Sequence, residues 1–188
     1  MRIRPYHSAD DTAVAEVIQE AFGKHDKDVI PLVNDLRRVH VRAELVAVTD
    51  SDEIVGHVML SRSWLDARER LVEVLVLSPL SVSPAHQKRG IGTSLVSAAV
   101  DTASSLGVPA LFLEGSPAYY SRRGFVPAAS LGFIRPSARI PEPAFQVVQF
   151  SSREPWMLGA IIYCEPFWMH DCVGLRDPRL AEMERSGQ

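Results

Sequence analysis

Residues 77–96, LSPLSVSPAHQKRGIGTSLV, carry the most chemically suggestive spacing in the chain. A leucine- and valine-rich segment runs into Gln87-Lys88-Arg89-Gly90-Ile91-Gly92, and an apolar-periodic helix begins at once. Glycines at 90 and 92 let the backbone approach a ligand closely. The first N–H groups of a helix have no acceptor inside it, and the positive end of the helix dipole lies behind them. Lys88 and Arg89 add cationic charge, so the turn suits a pyrophosphate. The spacing is neither that of a P-loop nor that of a dinucleotide fingerprint. The glycines alone read first as an ordinary turn before a helix. Pro79 is a second signal, because a proline inside a strand that reads as central cannot donate to the ladder and predicts a bulge or a break. Backbone groups released there are available to an extended ligand. Coenzyme A, a pyrophosphate joined to an amide-bearing arm, has that shape.

Other reactive residue types have simpler readings. His170-Asp171-Cys172 are consecutive, which rarely aims three side chains at one ion, and no second cluster sits at a metal-ligand spacing. His170 and Asp171 fit better as the lining of an acceptor pocket. His86 reads as a solvated turn residue. Trp156, Phe167 and Trp168 read first as core and second as acceptor lining. Gly115-Ser116-Pro117 is a helix start and lacks the Gly-x-Ser-x-Gly pattern of a serine hydrolase. Cys164 lies in an apolar run and reads as inert.

Periodicity supplies the elements that must position these groups. Residues 2–6 read as a short strand, and Ser8 as the cap of a helix whose Val14, Val17, Ile18, Ala21 and Phe22 share one face, with Asp11 in a capping-box position. A second helix is expected over 28–39. Strands follow at 43–49, 53–64 and 71–82, the first two joined by a turn at Asp50-Ser51-Asp52. A helix over 90–106 should bury Ile91, Leu95, Ala98, Ala99, Thr102 and Leu106. A buried strand at 110–114 precedes a short helix that starts at Ser116-Pro117 and ends at Gly124. A proline-rich loop at 135–143 and strands at 144–150 and 157–164 complete the pattern. The order gives an α/β fold of the α+β kind, a mixed sheet with helices on its faces and one parallel pair made by the crossover from 71–82 to 110–114. One domain is expected over 1–173, with a polar tail at 174–188.

Composition fits an ordinary globule of 188 residues, 46% hydrophobic and 23% charged. A net charge of −3 argues against a protein held mainly on nucleic-acid phosphates. No apolar run is long enough for a membrane span, and MRIRPYHSADD has no secretory h-region. Two cysteines make no disulfide framework, so a cytoplasmic setting is expected.

Gln87-Lys88-Arg89-Gly90-Ile91-Gly92 resembles the Q/R-x-x-G-x-G/A motif of the GNAT superfamily of acyl-CoA-dependent N-acetyltransferases. Tyr119-Tyr120-Ser121-Arg122-Arg123-Gly124-Phe125 is similar to that family's second signature, a tyrosine four residues before Gly-Phe. Gly115-Ser116-Pro117-Ala118-Tyr119-Tyr120 resembles a bacterial branch of predicted acetyltransferases. The resemblance covers about residues 1–164. It implies a mostly antiparallel sheet whose parallel pair is splayed, and acetyl-CoA as co-substrate with no metal. By position it implies that the backbone of Leu80, Ser81 and Val82 meets the pantetheine. Gln87, Lys88, Arg89, Gly90, Ile91, Gly92 and Thr93 would cradle the pyrophosphate. Tyr120 would face the thioester sulfur as general acid, a phenol near pKa 10 being close to a thiol. The acceptor would be a small-molecule or peptide amine, without nucleic acid or membrane, and assembly as a homodimer is left open. Some members carry a base glutamate eleven residues before the motif glutamine, where this chain has Val76; Glu73 lies elsewhere on the same strand. Glu114 is the best candidate, with an ordinary carboxylate near a helix start, or a water chain as base, as the competing readings. A non-catalytic CoA sensor or interaction module is the alternative function.

Overall fold

A computed structural model describes residues 1–174. Of the tail expected at 174–188, all but Gly174 lies outside the described residues. The elements are β1 (Arg2–Pro5), α1 (Asp11–Phe22), α2 (Asp26–Val39), β2 (Val41–Val48), β3 (Ile54–Ala67), β4 (Leu71–Val82), α3 (Ile91–Ser105), β5 (Ala110–Glu114), α4 (Pro117–Tyr120), β6 (Val126–Pro127), β7 (Phe145–Gln149), β8 (Gly159–Ile162) and α5 (Glu165–Met169). The strand order is β1-β2-β3-β4-β5-β7-β6, with β8 on β3. The expected parallel pair is β4 with β5, at Leu75↔Leu111 and Val76↔Phe112. The pairs β1–β2, β2–β3, β3–β8, β5–β7 and β6–β7 are antiparallel.

Residues cluster into two compact units, Met1–Ser61 with Leu77–Leu106, and Arg62–Val76 with Gly107 onward. In the first, α3 packs on β2 through Ile91, Leu95, Val96, Ala99 and Ala103. The close approach requires Gly56, where a Cβ would stand 2.9 Å from Leu95 Cδ1 and 3.2 Å from Ile91 Cγ2. Strand alternation turns Glu44 and His57 to the opposite face from Ala47 and Gly56. There Arg37 of α2 makes a 2.6 Å ion pair with Glu44, and His57 Nε2 lies 2.7 Å from the same carboxylate. Arg37 also reaches Asp11 at 2.6 Å and stacks over Tyr6.

In the second unit Leu111, Phe112 and Leu113 of β5 are fully buried. Phe112 stacks on Phe145 at 5.5 Å and meets Phe133 edge-on at 5.1 Å. A buried hydrogen bond of 3.0 Å from Gln146 Nε2 to the Gly115 carbonyl ties β7 to the end of β5.

Several local expectations change. Ser8 does not cap α1: a 3-10 turn, Ser8–Asp10, precedes it, and Asp10 accepts from the His7 backbone N–H at 2.8 Å. Ser116 stands at the N-cap of α4 without a capping side-chain bond. Leu106 lies past the end of α3 and is exposed, its expected place taken by Val96 and Ala103. Trp168 is exposed and only Phe167 of the aromatic trio is core. The turn at Asp50-Ser51-Asp52 forms as expected, with Asp52 at φ 63° and Thr49 N–H bonded to the Glu53 carbonyl. No helix among the described residues is long and apolar enough to cross a membrane.

Candidate active site

The first group of expected site residues lies in the first unit, where β4 leaves the sheet and α3 begins. β4 runs through Pro79 as one strand, its parallel pairing with β5 covers Leu75 and Val76 and stops short of Pro79, and the Ser78–Pro79 peptide bond is cis. Leu80 and Val82 are half-buried, while Ser81 is buried with no hydrogen-bond partner for its hydroxyl. After a 3-10 turn at Pro84–His86, Gln87 reaches back, its Nε2 donating to the Val82 carbonyl at 3.0 Å. The motif glutamine therefore pins the turn to the strand. His86 is half-buried rather than solvated, and its Nδ1 has no partner among the described residues.

Lys88 takes φ 61° and Gly90 φ 85°, so two left-handed residues bracket Arg89. Such turns gather successive N–H groups into an anion-binding concavity. Gly90 is the N-cap of α3, and a Cβ there would meet open space, so its glycine answers to backbone conformation. Ile91 and Gly92 open the helix, where N–H groups lack intrahelical acceptors, and no acidic residue stands in its first turn. Lys88, Arg89, Gly90 and Thr93 are exposed, Gly92 half-buried and Ile91 buried.

The second group, Glu114 and Tyr120, lies in the second unit at the end of β5 and on α4. Gly115 joins them: a Cβ there would stand 2.7 Å from Tyr120 Cδ2 and 3.3 Å from Cζ, so the tyrosine ring rests on the glycine backbone. Tyr119 meets the Tyr120 ring edge-on at 4.8 Å, and Phe125 closes another side at 5.7 Å. Burial, then the neighbouring Tyr119, pushes the Tyr120 phenol above its usual 10, against the pull of Arg123. Arg123 stacks on Tyr119 at 3.4 Å and donates to its carbonyl, so the adjacent tyrosines have different surroundings.

Glu114 is no ordinary surface carboxylate. Burial pushes its carboxyl up to about 7, against the Gly174 N–H, Tyr163 and Arg139, which pull it down. The Gly174 N–H donates to Oε2 at 3.0 Å. The buried Tyr163 hydroxyl lies beside the carboxyl, short of hydrogen-bond geometry, and makes no other bond among the described residues. Tyr163, Arg139 and Gly174 escaped the sequence reading because each lies far along the chain from β5 and belongs to no motif.

Val76 is buried, so the alternative base position holds a core residue. Cys164 is buried and its thiol is pushed up to about 11, which fits an inert thiol. Asp171 is ion-paired with Arg139 at 2.5 Å. No group of three or more metal-ligating side chains occurs among the described residues. An open cavity of about 310 Å³ in the second unit, lined by Phe133, Arg135 and Glu142 among others, includes neither Glu114 nor Tyr120.

Comparison with known proteins places this geometry in a family. A model of the GNAT acetyltransferase domain matches residues 2–128. The chain is 27% identical over 160 residues to the uncharacterized N-acetyltransferase YjhQ of Escherichia coli, covering 83% of this chain and 87% of that protein. The crystal structure of the GNAT family N-acetyltransferase YhbS from Escherichia coli, in complex with CoA, superposes with a TM-score of 0.78 at 26% identity, over 88% of this chain and 91% of that one. A GNAT family acetyltransferase from Brucella melitensis, solved with acetyl-CoA, gives 0.69 at 26% identity over 88% and 97%. With its turn at Gln87–Gly92, its tyrosine before Gly124-Phe125 and its parallel pair of β4 with β5, the chain belongs to the GNAT family of acyl-CoA-dependent N-acetyltransferases.

Proposed function

We propose that the protein transfers the acetyl group of acetyl-CoA to a primary amine by direct attack, with Tyr120 as general acid and Glu114 as general base. The observation that carries the reading is the left-handed turn at Lys88–Gly90 feeding the N-terminus of α3, an anion cradle at the position of the family motif. Gln87 to Thr93 hold the pyrophosphate, and the backbone of Leu80, Ser81 and Val82 pairs with the pantetheine amides. Relatives solved with CoA and acetyl-CoA support this co-substrate.

The acceptor nitrogen gives a proton to Glu114 as its lone pair attacks the thioester carbonyl. The N–C bond forms, the tetrahedral oxyanion collapses, and the C–S bond breaks. Tyr120 passes its proton to the departing thiolate and is reprotonated from solvent. A carboxyl near 7 is well matched to its role at neutral pH. The raised Tyr120 phenol is protonated at neutral pH, and it is a weaker acid toward the thiolate than the matched phenol expected from the sequence.

The test is cofactor binding. Free CoA at about a hundred times its dissociation constant should stabilise the protein by roughly 2.7 kcal/mol, raising Tm by about 5–10 °C, with NAD nearly silent. Gly92→Glu, which puts a carboxylate into the cradle, should abolish the shift and leave the unliganded Tm close to wild type. A full CoA shift in that variant would remove the phosphate site from α3.

A further inference from the structure

Tyr163 is a buried polar side chain that nothing above assigns a task. Its exposure is 3%, its ring packs against Phe167 at 5.0 Å, and its hydroxyl has no bond among the described residues. An unsatisfied buried hydroxyl is costly, and phenylalanine would fill the same space without that cost. What stands beside the hydroxyl is the Glu114 carboxyl. A neutral phenol gives little to a protonated acid, but it donates a charge-assisted hydrogen bond to a carboxylate.

A second donor comes from the chain that closes over β5. Asp171 is latched to Arg139, and three residues later the Gly174 N–H donates to Glu114 Oε2 at 3.0 Å. Gly174 has φ +89°, and a Cβ there would stand 2.8 Å from Arg139 Cβ. Only glycine fits this approach, so the backbone is shaped to bring its N–H to the carboxyl. Tyr163 and Arg139 are the titratable groups that act on Glu114 among the described residues, and Arg139 is itself paired with Asp171.

We propose that Tyr163 and the Gly174 peptide N–H are positioning groups for Glu114, two donors that close on its carboxylate when it gives up its proton and hold it ready to take one from the acceptor amine. The inference rests on Glu114 as base. Tyr163 touches neither substrate nor cofactor in this scheme; it acts through Glu114. The arrangement also restrains the carboxylate, since its Oε2 is engaged by Gly174.

The test is the pH profile of kcat/KM with one amine acceptor, in wild type, Tyr163→Phe, Gly174→Ala and Glu114→Gln. Wild type should show a lower limb near pH 7. Tyr163→Phe should move that limb up by about one pH unit, because the ionised form loses a donor. Its KM for acetyl-CoA should be unchanged. Gly174→Ala, which displaces the second donor, should move the limb in the same direction. A carboxyl ¹³C NMR titration of Glu114 without substrate, in wild type and Tyr163→Phe, should show the same displacement whatever happens to turnover. A Glu114 titration unmoved by Tyr163→Phe overturns the positioning role, even if the rate falls. Persistence of the wild-type limb in Glu114→Gln instead overturns Glu114 as base, so the two failures are distinguishable.

Discussion

Two carboxylates, the buried Glu44 and the half-buried Glu114, are pushed in opposite directions. Glu44, in the first unit, has a side chain only 4% exposed, and burial is the largest influence on it, pushing its carboxyl up. Hydrogen bonds and charge from His57 and Arg37 outweigh that push and hold it below its ordinary 4.5. Glu114, in the second unit, has neutral donors against it, the cation that acts on it, Arg139, is engaged with Asp171, and burial wins. Burial therefore does not decide the charge of a buried acid; the partners within reach do. The paired carboxylate cross-links a helix to a sheet, and the under-paired one is free to exchange a proton.

The comparison predicts a division of effects. Glu44→Ala should leave Arg37 and His57 without their carboxylate and lower stability by about 3–5 kcal/mol, measured by urea unfolding. The protein that still folds should keep its turnover per folded molecule. Glu114→Gln should reverse that pattern: turnover falls on the order of a hundredfold or more while the fold is retained. Loss of turnover without loss of stability in Glu44→Ala would erase the distinction between the two sites.

The pH dependence of stability separates them by sign. Glu114 is raised in the folded state, so the folded protein binds its proton more tightly. Its contribution is complete below about 4.5 and is lost as pH rises toward about 7. The loss is on the order of 3 kcal/mol, and Glu114→Gln should remove it. Glu44 is depressed, so its contribution is present above 4.5 and disappears as pH falls through its lowered folded value. Unfolding curves between pH 4 and 8 for the wild type and Glu114→Gln would reveal a wrong sign directly.

Within the second unit the same logic distinguishes adjacent tyrosines. Tyr120→Phe should lower kcat on the order of a hundredfold, about 2.7 kcal/mol of transition-state stabilisation, with acetyl-CoA affinity retained. Tyr119→Phe, which keeps the ring under Arg123, should be nearly silent in the same assay. A larger defect in Tyr119→Phe would move the acid by one residue.

Much of this architecture is legible from local pattern. β4 falls on residues 71–82 as read, because alternation and a turn at each end bracket it. The turn at Gln87–Gly92 is legible because glycine spacing and a helix start are adjacent in the chain. The left-handed Lys88 is not, since lysine gives no cue for positive φ. α5 escapes notice because five residues cannot establish a helical period, although Pro166 at its start is the expected residue type. Glu44 hides in a strand that reads as apolar, and its burial becomes tolerable only through Arg37 on α2 and His57 on β3. Glu114 is suggested by its place at a strand end, but its carboxyl is raised by burial, and the donors that oppose the rise, Tyr163 and Gly174, lie far along the chain, the latter 60 positions away. Pairings of that kind are made by topology, which no window of sequence contains.

Acetyl transfer itself is tested most directly by thiol release. Purified protein is given acetyl-CoA with and without each of a panel of primary amines, and free CoA is read with a thiol reagent while the amine product is weighed by mass spectrometry. Release should require an amine, match the acetylated product one for one, and collapse in Tyr120→Phe. Tight CoA binding with no amine-dependent release from any member of the panel would contradict it and leave a protein that senses or stores the coenzyme.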